Sequence, residues 1–391
     1  MPVRTVGDAI EPVVPAESAS STGSAFKHWF DAARYRRLAE DLHASAPSFD
    51  RKAFLELTLT GLDERELMDR LRQTAVACNA ALPGSYRDKI AVLREIAPRI
   101  GHSFVGIALC DFVARYGLED PQFSLEVLRY LTRFGSAEFA VRPFLVRDLA
   151  GTLAVMTEWA EDPDEHVRRL ASEGSRPRLP WGSRLVELVR DPRPTGPILE
   201  RLKADPALYV RKSVANHLND IAKDHPDAVI ARVASWDHSP AGTSWIVRHA
   251  LRTLVKRGDP RALQILGAPA RTAVEVDGFS VTPRRVRLGE SVTLKTTLRS
   301  TARRSQILVV DYVIHYVKAR GGTSAKVFKW SRVVLEAGQV VTLTKRQVIK
   351  DFSTRRHYAG VHRIELQING KRPADTQFSL QLSGSPAGKR K

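Results

Sequence analysis

Three acids stand in helical text that is otherwise apolar or basic: Glu138, Glu173 and Asp220. Carboxylates so placed are candidates for chemistry, yet each also has a plain structural account. Glu138 lies in Ser136-Ala137-Glu138-Phe139-Ala140-Val141-Arg142, at an expected helix start, where the helix dipole favours an anion. Glu173 has Arg169 four residues before it, the spacing of a solvated ion pair along one helix face. Asp220 follows Asn216 and His217 in a polar stripe opposite Val210, Val214 and Leu218, which a solvated helix face explains equally well. Trp181 ends the run Ser175-Arg176-Pro177-Arg178-Leu179-Pro180-Trp181, a loop stiffened by two prolines. Arginines beside an aromatic ring are what phosphate binding with base or sugar contact requires; packing of the loop on the next helix accounts for the same residues.

Signatures of several other chemistries are missing. The 11 histidines contain no His-Glu-x-x-His pair, and neither a glycine-rich phosphate loop nor Gly-x-Ser-x-Gly occurs, which disfavours metal hydrolases, nucleotide triphosphatases and serine hydrolases. Cys78 and Cys110 form no Cys-x-x-Cys and have no histidine cluster nearby, so a reducing compartment is expected, with no structural zinc. Neither a metal nor a cofactor is expected.

Helices must position these candidates, because the text from Ser24 to about Leu266 has helical periodicity almost throughout. Phe26, Trp29, Phe30, Ala33 and Leu38 suit one amphipathic helix. Breakers at Pro83-Gly84, Gly117, Asp120-Pro121, Gly135, Asp162-Pro163, Asp205-Pro206 and Ser239-Pro240 are spaced as in stacked helix pairs. Asp-Pro suits a helix start: Asp accepts free first-turn amides and Pro has no amide to leave unpaired. Val167-Arg168, Val210-Arg211 and Val247-Arg248 recur at intervals of 43 and 37 residues, each followed three and four positions on by one small and one aliphatic residue. That period is close to HEAT-like repeats, whose helix pairs bury their apolar faces only by stacking into a curved solenoid. Val141-Arg142 suits an earlier, shorter unit.

After Gly267-Ala268-Pro269 the period becomes two. Seven alternating runs between Val274 and Leu382, separated by turns such as Gly321-Gly322, Ala337-Gly338 and the type I′ pair Asn369-Gly370, predict an Ig-like β-sandwich. Tyr358 is the expected tyrosine corner. The fold class is thus an all-α HEAT-like repeat solenoid followed by an all-β Ig-like sandwich: a flexible tail over residues 1–24, the solenoid over 25–268, the sandwich over 272–384 and a basic tip over 385–391. The net charge of +18 is unevenly spread: from Thr272 to Lys391, 23 Lys and Arg face 8 Asp and Glu, a balance of +15. Such a field recruits polyanions, nucleic acid first among them. No apolar run approaches the length of a membrane span, and the first residues lack the pattern of a secretory signal.

The block from Ser172 to Trp181, the span from Asp205 to Asp227 and the opening Phe26-Lys27-His28-Trp29-Phe30 together resemble the AlkC branch of bacterial alkylation-repair DNA glycosylases, in the subgroup with a C-terminal Ig-like domain. The resemblance covers roughly residues 26 to 266 and implies an enzyme that excises 3-methyladenine and 3-methylcytosine from double-stranded DNA. By the same likeness, Glu138, Glu173 and Asp220 are the acids around the lesion, Trp181 is the aromatic beside it, and Arg169 and Arg176 contact the DNA backbone. The implied chemistry suits carboxylates, because positive charge develops on deoxyribose as a cationic base departs. A monomer in the bacterial cytoplasm, associated with the nucleoid, is the corresponding expectation; a noncatalytic HEAT-repeat scaffold is the rival.

Overall fold

The structure is a computed structural model that describes residues 29–352 and 355–382. The expected tails over 1–24 and 385–391, and Phe26 of the first expected helix, lie outside the described residues. The chain divides into two compact units, with the boundary between Leu251 and Arg252.

Among the described residues, the first unit holds fourteen α-helices: α1 (Ala32–Ser45), α2 (Arg51–Leu59), α3 (Leu67–Ala81), α4 (Tyr86–Ile100), α5 (Phe104–Tyr116), α6 (Pro121–Leu131), α7 (Arg142–Arg147), α8 (Leu149–Trp159), α9 (Glu165–Gly174), α10 (Val186–Arg190), α11 (Gly196–Leu202), α12 (Leu208–Ile221), α13 (Pro226–Ala234) and α14 (Ala241–Ala250). Every breaker read from the sequence falls between helices except Pro121, which opens α6. α9 packs along α12 and α12 along α14, so the three Val-Arg helices are neighbours in space. Val167, Val210 and Val247 are all buried, as are the small and aliphatic residues that follow them.

Asp120-Pro121 starts α6 at the proline as expected, but Asp162-Pro163 and Asp205-Pro206 act differently. Both helices begin beyond the proline, and Asp162 and Asp205 accept instead from the amides of Asp164 and Ala207, two residues on. That turn leaves each carboxylate free to reach a neighbouring repeat. Arg129 Nε donates to Asp162 at 2.7 Å, and Arg168 Nε donates to Asp205 at 2.7 Å. Arg168 also caps the carbonyls of Asp162 and Pro163, and Arg211 those of Asp205 and Pro206. The motif therefore repeats in three dimensions, as arginines that close their own turn and, through Asp, stitch the preceding repeat to the next. Arg211 Nε is buried without a partner, so this ladder stops there. The third arginine, Arg248, bonds Ser244 of its own helix.

Residues 252–382 form the second unit. Its helices α15 (Arg252–Arg257) and α16 (Pro260–Ile265) complete the helical text, but they cluster with the sandwich, short of the boundary expected at residue 268. Gln367 donates to the Lys256 carbonyl, Arg332 to that of Leu266 and Asn369 to that of Pro269. The sandwich pairs β1 (Val274–Thr282), β3 (Ser291–Ser300) and β6 (Val340–Val348) against a second sheet in the order β2 (Arg285–Arg287), β8 (Lys371–Gln381), β7 (Gly360–Ile368), β4 (Gln306–Val317), β5 (Thr323–Leu335). Its core comes from the alternate positions Val292, Leu294 and Leu298, facing Leu308, Val310, Tyr312 and Ile364. Asn369 and Gly370 both take positive φ, 44° and 81°, which is what a type I′ hairpin requires. β2 is an eighth strand, three residues long and parallel to β8; a run this short carries no alternation to read. Tyr358 is not a tyrosine corner, since its carbonyl accepts from His362 and its hydroxyl bonds nothing among the described residues.

One close backbone approach bears on the candidate site. A Cβ added to Gly106, in the first turn of α5, would stand 2.1 Å from the Phe134 carbonyl oxygen, and the facing Gly135 has no more room. This contact seats the segment that carries Glu138 three residues later. Gly106→Ala is expected to lower stability by about 2–3 kcal/mol through overpacking, read as a fall in the urea midpoint; an unchanged midpoint would show that the segment yields freely.

Candidate active site

Glu138, Glu173 and Asp220 come from three elements: the turn before α7, the end of α9 and the end of α12. Two arginines join them into one chain of alternating charge. Arg169 Nη1 donates to Glu138 Oε2 at 2.6 Å, and its other terminal nitrogen lies 3.7 Å from Glu173 Oε1. Arg176 Nη1 donates to the same Glu173 oxygen at 2.6 Å, while its Nε donates to Asp220 Oδ2 at 2.8 Å. Lys223 closes the chain on Asp220 Oδ1 at 2.8 Å. Ser136 donates to Glu138 Oε2, the oxygen that Arg169 also holds, and Ser213 donates to the second oxygen of Glu173, Oε2.

The solvated accounts of these acids therefore fail. Glu173 and Asp220 are 6% and 3% exposed, so neither sits on a wetted helix face. Glu138 lies in a turn, four residues before the helix it was expected to start. Arg169 and Arg176, assigned by resemblance to the DNA backbone, both have their guanidinium groups engaged by carboxylates. Burial alone would lower the pKa of each; for Arg169 the Glu138 and Glu173 carboxylates reverse the sign, and for Arg176 those of Glu173 and Asp220 do so.

Arg142 is a fourth cation at the site, 1% exposed and aimed into the loop that carries Trp181. Its guanidinium donates to the carbonyls of Gly174, Arg176 and Ser183, tying both ends of the loop to the end of α9. Burial first, and then the neighbouring Arg176 charge, lower its pKa to about 10. Outside the clamp, Arg178 forks onto Asp224. Leu179 packs inward, but Trp181 does not: it is 46% exposed with a φ of 65°. A left-handed conformation in a bulky residue is strained, so the clamp holds an indole out to solvent at a local conformational cost. The core-packing account of Trp181 does not hold.

An aromatic row runs along the starts of α5, α9 and α12. His102 and His166 have ring centroids 4.8 Å apart, His166 meets Tyr209 edge to face, and the Arg169 guanidinium lies 4.7 Å over the Tyr209 ring. Behind the acids, His217 is fully buried with both ring nitrogens unpaired, and the Ser172 hydroxyl is likewise buried and unpaired. Sequence reasoning singled out six residues that the structure arranges around one cluster and its loop, but missed Arg142, Tyr209, Ser213 and Lys223. Arg142 gave a signal in Val141-Arg142. Lys223 gave one as a cation three residues after Asp220. No signal pointed to Ser213, because its role depends on a neighbouring helix.

Comparison with known proteins shows the family. Residues 126–254 match the model of the DNA alkylation repair enzyme family, and residues 275–382 match that of the C-terminal Ig-like domain of uncharacterised protein YhaZ. The chain is 40% identical over 345 residues to the uncharacterized protein YhaZ of Bacillus subtilis, covering 88% of this chain and 96% of that one. It is 46% identical to the alkylpurine DNA glycosylase AlkC of Pseudomonas fluorescens, solved on DNA containing an abasic-site analogue, with a TM-score of 0.89 over 91% of this chain and 99% of that one. The chain belongs to the AlkC family of DNA alkylation-repair proteins, in the branch with an Ig-like domain. This AlkC-family chain thus has the solenoid and sandwich that its sequence predicted, and the acids at issue fall inside the segment matched by the repair-enzyme model.

His217 gives the site a pH signature. Burial, and then the Arg176 charge, depress its pKa from 6.5 to about 3, so between those values the unfolded chain binds a proton that the folded chain does not. Its contribution to stability is complete above pH 6.5 and is lost as the pH falls toward 3, at up to about 1.4 kcal/mol per pH unit. Urea unfolding across that window should show His217→Gln with a shallower pH dependence than the wild type; equal slopes would remove His217 from the account.

Proposed function

We propose that this chain is a monofunctional DNA glycosylase that hydrolyses the N-glycosidic bond of cationic N3-alkylated bases, 3-methyladenine and 3-methylcytosine, in double-stranded DNA and leaves an abasic site. The observation that carries this reading is the chain Glu138–Arg169–Glu173–Arg176–Asp220, half-buried at Glu138 and Arg169 and buried beyond, three carboxylates held by hydrogen bonds within a segment whose family model is a DNA alkylation repair enzyme. The similarity to AlkC of Pseudomonas fluorescens over nearly its whole length supports the same activity.

An N3-methylated base is a good leaving group because it already carries positive charge. The N-glycosidic bond breaks with its electrons passing to the base, which departs neutral, while positive charge grows on the deoxyribose. Carboxylates fixed beforehand stabilise that charge without having to reorganise as it forms. Water then adds to C1′ and gives its proton to a carboxylate, which completes the hydrolysis with no lysine Schiff base. Trp181, held out to solvent by the Arg142 clamp, supplies an aromatic face for the exposed lesion or its neighbour. Arg169 and Arg176 act on the acids as positioning residues, because their donors are committed to carboxylates. The excess positive charge of the Ig-like unit binds DNA phosphates, and its signature is a steep dependence of affinity on salt. The enzyme works as a monomer, at the nucleoid of the bacterial cytoplasm.

Single-turnover incubation with duplexes bearing one 3-methyladenine or one 3-methylcytosine tests the reading. Free methylated base and abasic sites are expected from the wild type, with rates reduced about 10²–10³-fold in Asp220→Asn and in Glu173→Gln. A noncatalytic scaffold releases nothing, and wild-type rates in Asp220→Asn would remove that residue from the chemistry.

A further inference from the structure

The charge balance poses a problem for any cationic substrate. Glu138, Glu173 and Asp220 are met by Arg142, Arg169, Arg176 and Lys223, four cations against three anions, so the site at rest presents no net negative charge to an alkylated base. One of the four must withdraw before a carboxylate can serve a second positive charge. Arg142 cannot, being 1% exposed and bonded to three carbonyls. Arg169 is held by Glu138, Ser136 and the Tyr209 ring, and Arg176 by two carboxylates at 6% exposure.

Lys223 differs in each respect. Its side chain is 42% exposed, its ammonium bonds Asp220 Oδ1 alone among the described residues, and it sits in the turn that follows α12. An ammonium on a flexible four-carbon stem moves more readily than a planar guanidinium fixed by several bonds. Asp220 keeps Arg176 on Oδ2 whether or not Lys223 stays, so its carboxylate remains oriented while Oδ1 changes partner.

We propose that Lys223 is a displaceable counter-ion: it occupies Asp220 Oδ1 in the free protein, moves onto a DNA phosphate in the complex, and so yields that oxygen to the cationic lesion and to the sugar that becomes positive. This rests on the glycosylase reading and adds to it a residue that sets selectivity for charge. DNA supplies the alternative anion for the lysine, and the lesion supplies the alternative cation for the aspartate. Only a ligand that brings both replaces both halves of the resting pair. A neutral base at the same position leaves Asp220 Oδ1 without a counter-charge, and is disfavoured for that reason rather than by shape.

Binding of the full-length protein to two duplexes tests this without turnover: one carries a pyrrolidine abasic-site analogue, cationic at the sugar, and the other a neutral tetrahydrofuran analogue. In Lys223→Met the ratio of affinities, cationic over neutral, should rise about five- to tenfold at low salt because an uncompensated carboxylate now faces the analogue. The slope of log affinity against log salt for the cationic duplex should become shallower by about 0.9, the loss of one phosphate contact. An unchanged ratio overturns the counter-ion role, and a raised ratio with an unchanged slope overturns the displacement, since the lysine then stays on Asp220 in the complex. Lys223→Gln repeats the measurement with a polar side chain, and urea unfolding checks that both variants are folded. If the wild type instead releases no methylated base in the excision assay, the glycosylase reading fails while the binding result stands by itself.

Discussion

Guanidinium groups share the carboxylates at the centre of this helical stack, and the site depends on that sharing. Removing an ion from water costs several kcal/mol, and a pair recovers this only when its geometry is good and the remaining lone pairs are bonded. The geometry is good here: each carboxylate has a short charged partner, Ser213 and Lys223 take the second oxygens of Glu173 and Asp220, and Ser136 adds a bond to the Glu138 oxygen that Arg169 holds. The alternation also fixes positions. Arg176 contributes two different edges to two carboxylates on neighbouring helices, so Glu173 and Asp220 cannot move independently. The turn bearing Glu138 is seated by glycine contacts on one side and held by Arg169 on the other.

The same residue types do structural work one helix turn or more away. Asp162 and Asp205 take arginines from preceding repeats. An Asp–Arg pair therefore has no meaning by type alone. The acidic chain differs by its convergence: three carboxylates, four cations, an indole forced outward and an unpaired buried imidazole lie around one end of α9 and α12. Strain at Trp181 and unpaired polar atoms at His217 and Ser172 come together here, a combination typical of functional sites.

The architecture was legible in the sequence because it rests on local rules. Period 3.6 gave way to period 2 near residue 269, breakers marked helix ends, and Asn369-Gly370 named its own turn type. What escaped depended on contacts between distant segments. Asp162 and Asp205 look like helix caps in the text, and only the neighbouring repeat reveals them as ladder acids. α15 and α16 read as the end of the solenoid, yet their carbonyls are claimed by Gln367 and Arg332, about 70 to 110 residues away. The three acids were named, but the burial of Glu173 and Asp220 was not, since burial is set by α12 meeting α9. For the same reason, Arg176 reads as a phosphate ligand in a loop sequence and stands in the fold as the bridge between two acids.

That bridge is the central claim, and a double-mutant cycle on single-turnover excision of 3-methyladenine measures it most directly. If Arg176 acts by holding Asp220, Arg176→Ala and Asp220→Asn should each slow base release by a similar factor, and the double variant should be scarcely slower than either. Losses that multiply would contradict the account and return Arg176 to an independent contact with the DNA backbone.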